Sequence, residues 1–169
     1  MIVALAGRRI DAPDAPTPRF PLSRAAAVRE KLSALFRRRG ATALVSSAAC
    51  GADLLALDAA RHLGMRLRIV LPFDRATFRR LSVTDRPGDW GPLYDEICAE
   101  GEVIELGLDP SRSHYAYQAA TARILEEKPD LAVAVSDGLA RDDDDLTEYF
   151  VRLATERGIE VERVHTLRD

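Results

Sequence analysis

Six short apolar runs, at residues 2–6, 43–45, 67–71, 103–106, 131–135 and 161–164, alternate with longer segments whose apolar residues recur at helical spacing. The runs are continuously hydrophobic rather than alternating, which is the pattern of strands buried on both faces. Residues 24–39 place Ala27, Val28, Leu32, Leu35 and Phe36 on one helical stripe, with Ser23 as the expected N-cap and Gly40 just past the end. Residues 50–63 follow the same logic and stop at Gly64; further helices are expected over 90–99, 114–127 and 144–157, the last with an acidic start and Gly158 behind it. Strands and helices in this alternation, joined by right-handed crossovers, make a parallel sheet covered on both faces. The expected fold class is α/β, a single Rossmann-like, doubly wound, mainly parallel sheet flanked by helices.

Composition narrows this picture without redirecting it. At 169 residues and 47% hydrophobic, the chain suffices for one domain with a real core, and no composition shift marks a second. The 24 basic and 27 acidic residues leave a net charge of −3, which gives no broad field for nucleic acid. Cys50 and Cys98 are too few for a disulfide framework, and Met1 leads straight into a strand-like run, so a cytoplasmic setting is expected. No apolar run has membrane-spanning length, and the three histidines are scattered without zinc-ligand spacing, so neither a membrane nor a metal is expected.

In a doubly wound sheet, ligands bind outside the carboxyl ends of the strands, where the strand order reverses. That rule selects Gly7-Arg8-Arg9, the small-residue turn Ser46-Ser47-Ala48-Ala49-Cys50-Gly51-Ala52-Asp53, Pro72-Phe73-Asp74 and Ser136-Asp137-Gly138. Small residues where a strand turns into a helix let a phosphate approach free N–H groups and a positive dipole end; they also simply pack. Arg8 and Arg9 suit a phosphate clamp or a solvated pair with Asp11 and Asp14. Asp53 in a first helical turn reads as a cap or as a partner for sugar hydroxyls, and Cys50 at a helix start as a thiol of lowered pKa. The proline-rich residues 11–21 read as an extended cover or a plain connector.

The connection over residues 71–90 is rich in arginine and aromatics: Phe73 or Trp90 is placed to stack on a base and Arg79, Arg80 or Arg86 to meet phosphate, or else Phe78 and Trp90 fold it onto the core. Asp137 offers acceptors to a sugar or base, and the acidic run from Asp142 to Asp145 reads as a solvated start of the last helix.

Taken in order, Gly7-Arg8-Arg9-Ile10-Asp11, Ala48-Ala49-Cys50-Gly51-Ala52-Asp53, Val70-Leu71-Pro72-Phe73, the segment from Ser82-Val83 to Gly88-Asp89-Trp90, and Ser136-Asp137-Gly138 with Thr147 resemble the SLOG superfamily, the Rossmann-like group named for the Smf/DprA and LOG proteins. The resemblance implies a parallel sheet that binds nucleotides or their derivatives, in sensors or in LOG-type enzymes that cleave the N-glycosidic bond of nucleoside monophosphates. LOG-type enzymes carry Pro-Gly-Gly-x-Gly-Thr-x-x-Glu. With Thr147 matched to the motif threonine, Phe150 stands at the glutamate and aspartates replace the glycines.

The expectation is therefore a binder or sensor of a nucleotide-type ligand, with no other cofactor. Phosphate is expected near Ser47, Ala48, Gly51, Ala52, Arg8 and Arg9, and sugar or base near Asp53, Phe73 and Asp137; Gly7, Pro72, Gly138 and Thr147 complete the set. One alternative is hydrolysis or transfer at an N-glycosidic bond with Glu148, Asp137 or Asp53 as the working carboxylate. Another is a degenerate domain that binds protein. The resemblance also implies that a homodimer is compatible with this fold.

Overall fold

A computed structural model describes residues 1–142 and 144–169. Six strands, β1 (Ile2–Gly7), β2 (Ala43–Ser46), β3 (Arg66–Leu71), β4 (Glu102–Glu105), β5 (Leu131–Ser136) and β6 (Glu160–His165), form one sheet in the order β4-β3-β2-β1-β5-β6, with every pairing parallel. The helices are α1 (Ala25–Arg39), α2 (Ala52–His62), α3 (Arg75–Ser82), α4 (Trp90–Glu100), α5 (Ser113–Glu126) and α6 (Leu146–Glu156).

The two faces of the sheet bury different partners, because successive strand side chains point to opposite sides. Val3, Leu5, Leu44, Ile69 and Val133 pack with α1, α2 and α4 through Leu32, Phe36, Leu54, Leu57 and Ile97. Ala4, Val45, Val70 and Ala132 pack with α5 and α6 through Ile124, Leu125, Phe150 and Ala154. The strand order reverses between β1 and β5: the chain steps outward from β1 to β4, then returns through α5 to begin again at β5. That is the crevice where ligands are expected.

Two local expectations are corrected. Ser23 does not cap α1, because Pro21 starts a 3₁₀ turn over Leu22–Arg24 and Ser23 lies inside it; the helix opens at Ala25 with no side-chain cap. Gly40 does terminate α1, in the left-handed conformation at φ 64°. The second correction is α3, which falls within the connection that the apolar pattern leaves irregular. Asp74 caps it by accepting from the Thr77 N–H at 2.9 Å, and Phe78 anchors it in the core. Among the described residues, no helix is long and apolar enough to cross a membrane.

Candidate functional site

The carboxyl ends of β1 and β2 open into a cavity of about 570 Å³. Its inner wall is made by Leu5, Ala6 and Gly7 of β1, Ser47 and Ala49 after β2, Asp53 of α2, Phe78 and Ser82 of α3, and Tyr117, Ala120 and Ile124 of α5. Exposed residues, Ser113, His114, Arg141, Asp142 and Asp144, stand at the mouth. The volume lies within the range of small-molecule sites.

One side of the mouth is held by a chain of alternating charges. Arg19 donates to both oxygens of Asp137, at 2.9 and 3.2 Å; Arg8 Nε donates to Asp137 at 2.9 Å, and Arg8 Nη2 to Asp145 at 3.0 Å. Both arginines also donate to the Leu139 carbonyl. Asp145 caps α6, taking the Thr147 and Glu148 N–H groups on one oxygen and the Arg141 N–H on the other. Burial pushes the Asp137 carboxyl upward, but the hydrogen bond from Arg19 and the charge of Arg8 outweigh it and hold the group below the ordinary carboxylate range. Asp145 is lowered in the same way, with the backbone N–H groups of Arg141 and Glu148 and the charge of Arg8 overcoming burial.

The proline-rich segment joins this network. Asp11 accepts the Arg19 and Phe20 N–H groups at 3.0 Å each, which folds the segment back and brings Asp11 and Arg19 to the cavity wall.

The small-residue turn behaves differently from its expectation as a phosphate cradle. Ile10 N–H donates to the Cys50 carbonyl and Ala52 N–H to the Arg8 carbonyl, so the loops after β1 and β2 are stitched together and the first helical N–H of α2 is occupied. A Cβ on Gly51, which sits at φ 113°, would come within 2.7 Å of the Arg8 carbonyl and the Ile10 nitrogen. A Cβ on Gly7 would lie 2.5 Å from that of Ala52. These glycines permit backbone to pack on backbone. Of the expected anion contacts, Ser47, Arg8 and Arg9 line the cavity, as does Gly7 of the wider set, whereas Ala48, Gly51 and Ala52 are buried behind it.

Two unpaired polar atoms are sealed behind the wall, and one carboxyl stands in it. Among the described residues, Ser47 Oγ and Arg9 Nε are buried without a partner. Arg9 is otherwise held through Nη2, which reaches Cys50 Sγ at 3.4 Å and Asp85. Asp53, 7% exposed, accepts the Ala49 N–H on Oδ2 at 3.2 Å, so it ties down the turn before α2 rather than capping the helix. Burial drives its carboxyl up to about 7, and the Ala49 hydrogen bond and the Arg9 charge offset this only in part. Cys50 is also corrected: burial raises its thiol, against the lowering by Arg9, so the helix start does not make a thiolate.

The remaining candidates lie elsewhere. Phe73 is 1% exposed and packs edge-on against Tyr117, with ring centroids 5.5 Å apart; Pro72 is buried beside it, and neither lines the cavity. Trp90 folds onto the core and donates to the Pro87 carbonyl, while Arg79 pairs with Asp95. Asp137 has its oxygens taken by arginines and is no free acceptor for a sugar. Gly138 faces His165 outside the cavity. Glu148 forms a two-fold ion pair with Arg163, at 3.0 and 3.2 Å, also outside it. Thr147 does line the cavity.

Arg19, Tyr117 and Asp145 are wall residues that sequence reasoning did not place. Only Asp145 carried a usable signal, an aspartate three residues before Glu148 at a helix start.

The architecture matches solved structures. DNA processing protein A (DprA) from Streptococcus pneumoniae superposes with a TM-score of 0.60 at 19% identity, over 95% of this chain and 49% of that one. The structural-genomics target TM1055 gives 0.57 at 15% identity, over 95% and 71%. The chain shares the Rossmann-like α/β fold of these structures. A third structure of the same fold, the Moco carrier protein from Chlamydomonas reinhardtii, gives 0.54 at 16% identity, over 96% and 75%. This chain spans about half the length of the DprA chain. No protein-family model matches the sequence, and no curated protein matches it.

Proposed function

We propose that this SLOG-type chain binds a nucleotide or nucleotide-derived small molecule in the cavity at the carboxyl ends of β1 and β2. The observation that carries the reading is a cavity of about 570 Å³ beside the reversal of strand order, walled by Leu5, Phe78 and Tyr117 and edged by Arg8, Arg9, Arg86 and the buried carboxyl of Asp53. Asp53 spends one oxygen on the Ala49 N–H, and the other has no hydrogen bond among the described residues. One fold neighbour is, by its name, a carrier of Moco, which accords with small-molecule binding on this scaffold.

The phosphate belongs at the mouth. Arg8 and Arg19 are neutralised by Asp137 and Asp145 at 2.9 to 3.0 Å, whereas Arg86 and Arg141 line the cavity with only distant carboxylates, Asp85 at 3.8 Å and Asp142 at 4.0 Å. Burying a phosphate in the apolar inner part would carry a large desolvation cost.

Thermal-shift and calorimetric titration against nucleosides, nucleoside mono-, di- and triphosphates, cyclic nucleotides and ADP-ribose test the reading. A ligand at 100 times its Kd stabilises by about 2.7 kcal/mol, a rise on the order of 5 to 10 °C for a chain of this size. A flat response across the panel overturns it. Of the three carboxylates considered for glycosidic cleavage, Asp53 alone faces the cavity, so release of free base that disappears in Asp53→Asn would add catalysis to binding.

A further inference from the structure

We propose that Asp53 selects what the inner wall of the cavity accepts: its free Oδ1 takes a hydrogen bond from an uncharged N–H or O–H donor of the ligand and turns anions away. The inference rests on the cavity reading above and gives that reading a specificity-determining residue.

Asp53 differs from the other buried polar groups of the wall. Its Oδ2 accepts the Ala49 N–H at 3.2 Å, and its Oδ1 has no hydrogen bond among the described residues. Unlike Ser47 Oγ and Arg9 Nε, Oδ1 is not sealed, because Asp53 lines the cavity and keeps 7% of its surface exposed. A carboxylate oxygen only accepts, so the group that meets it must donate. An acceptor left bare beneath a ligand bears the cost of its own desolvation, which makes the demand for a donor strict.

Charge excludes the other partners. Arg9, on the loop after β1, is the cation that acts on Asp53, and its Nη2 is held by Asp85 and Cys50 Sγ. Elsewhere in the wall Arg8 is tied to Asp137 and Asp145, and Arg86 to the Ile10 carbonyl. From α3 come only Phe78 and Ser82, and from α5 Tyr117, whose hydroxyl burial pushes up, as it does the Cys50 thiol, so that both stay neutral. An anion beside Asp53 would meet a like charge, and a cation would add to the charge of Arg9 against an apolar wall. An uncharged donor meets neither penalty.

The same geometry makes the selection depend on pH. With the Ala49 N–H on Oδ2, a proton on the carboxyl sits on Oδ1 and turns the free acceptor into a donor. Burial drives the carboxyl up to about 7, so the two forms exchange around neutrality. A donor ligand binds the ionised form and expels that proton, so its affinity rises with pH up to about 7 and is flat above.

The test is calorimetric titration of the whole chain at pH 6, 7 and 8 with nucleosides and analogues that lack one donor. These are adenosine against purine riboside, guanosine against inosine, and each nucleoside against its 2′-deoxy and 3′-deoxy forms. Loss of the group that reaches Oδ1 is expected to weaken binding about 10- to 100-fold at the highest pH, the range for hydrogen bonds to a charged partner. The analogue that loses affinity tells a ring amino group from a ribose hydroxyl. The parent nucleoside should gain about tenfold in affinity from pH 6 to 8, as release of one proton requires, and the analogue should not. In Asp53→Asn, which has no proton to shed, both the pH slope and the discrimination should shrink towards one. If Asp53→Asn does not fold, the analogue series on the wild type at the three pH values decides the matter.

Analogues that all bind like their parents, affinity independent of pH, discrimination unchanged in Asp53→Asn, or displacement of the nucleoside by inorganic phosphate at matched ionic strength each overturns the role of Asp53. In those cases the cavity reading survives, because the nucleosides still bind. If nothing in either panel binds, both readings fall together.

Discussion

The Asp145 carboxylate accepts from Arg8 Nη2 at 3.0 Å with one oxygen while the other caps α6 through the Thr147 and Glu148 N–H groups. One side chain thus fixes the start of α6 and the guanidinium that follows β1, two places more than 130 residues apart in sequence. Removing Asp145 takes away the cap of α6 and one of the two carboxylates on Arg8, which stays paired with Asp137 at 2.9 Å, a loss of about 1 to 3 kcal/mol. Asp145→Ala is therefore expected to lower the melting temperature by roughly 2 to 12 °C. Asp145→Asn keeps a cap acceptor and should lose markedly less. Thermal denaturation of both variants checks this, and equal losses would show that the charge on Arg8 does not matter.

Asp53 gives the folded chain a pH dependence of opposite sign to its other buried carboxyls. Its carboxyl titrates at about 7 when folded, against about 4 when unfolded. Between those values the folded state holds a proton that the unfolded state has lost, so this group's contribution to stability falls as pH rises from about 4 to 7 and is flat above. The stability difference between wild type and Asp53→Asn, measured by urea denaturation at several pH values, should shift in favour of the variant across that window by an amount on the order of a few kcal/mol. Asp137 and Asp145, held low, contribute stability that is lost only as pH falls below the unfolded value. A difference independent of pH would show that Asp53 is not held up by burial.

Gly51 is expected to matter to the fold before it matters to any ligand. At φ 113°, with the Arg8 carbonyl 2.7 Å from any added Cβ, a side chain would be strained and would push apart the two loops that Ile10 and Ala52 stitch together. Gly51→Val should destabilise by several kcal/mol, on the scale of combined strain and overpacking. A variant that melts like the wild type but loses ligand binding would restore the phosphate-cradle role that the small-residue turn suggests.

The same turn shows what was legible in the chain and what was not. The strands were, because residues such as Leu44 and Val133 must be apolar on both faces of a covered sheet, and that constraint is written locally. The candidate residues at strand ends were legible as positions in the chain but not in their pairings. Asp137 reads as a free acceptor until Arg19, 118 residues away in sequence, is seen on it. Phe73 follows a strand and looks available for stacking, yet the loop turns it inward onto Tyr117. The α3 helix escaped because only Phe78 and Ser82 of it are buried, too few to set up a helical period amid four charged or polar neighbours such as Arg75 and Arg79. Pairings across the fold are tertiary facts with no local trace.

At the mouth, Arg86 and Arg141 should read the phosphates and leave the base alone. Both line the cavity; Arg86 is partly engaged through the Ile10 carbonyl at 2.8 Å, and Arg141 lies 4.0 Å from Asp142 with a side chain 62% exposed. Exposed charge pairs are worth about 0.2 to 1 kcal/mol and are screened by salt, so each replacement by Gln should weaken a nucleoside monophosphate by no more than about fivefold. The corresponding nucleoside should bind unchanged, and the difference between the two should shrink as salt is raised. A loss shared equally by nucleoside and nucleotide would instead place these arginines in contact with the base or in support of the fold, and would move the phosphate back towards Arg9.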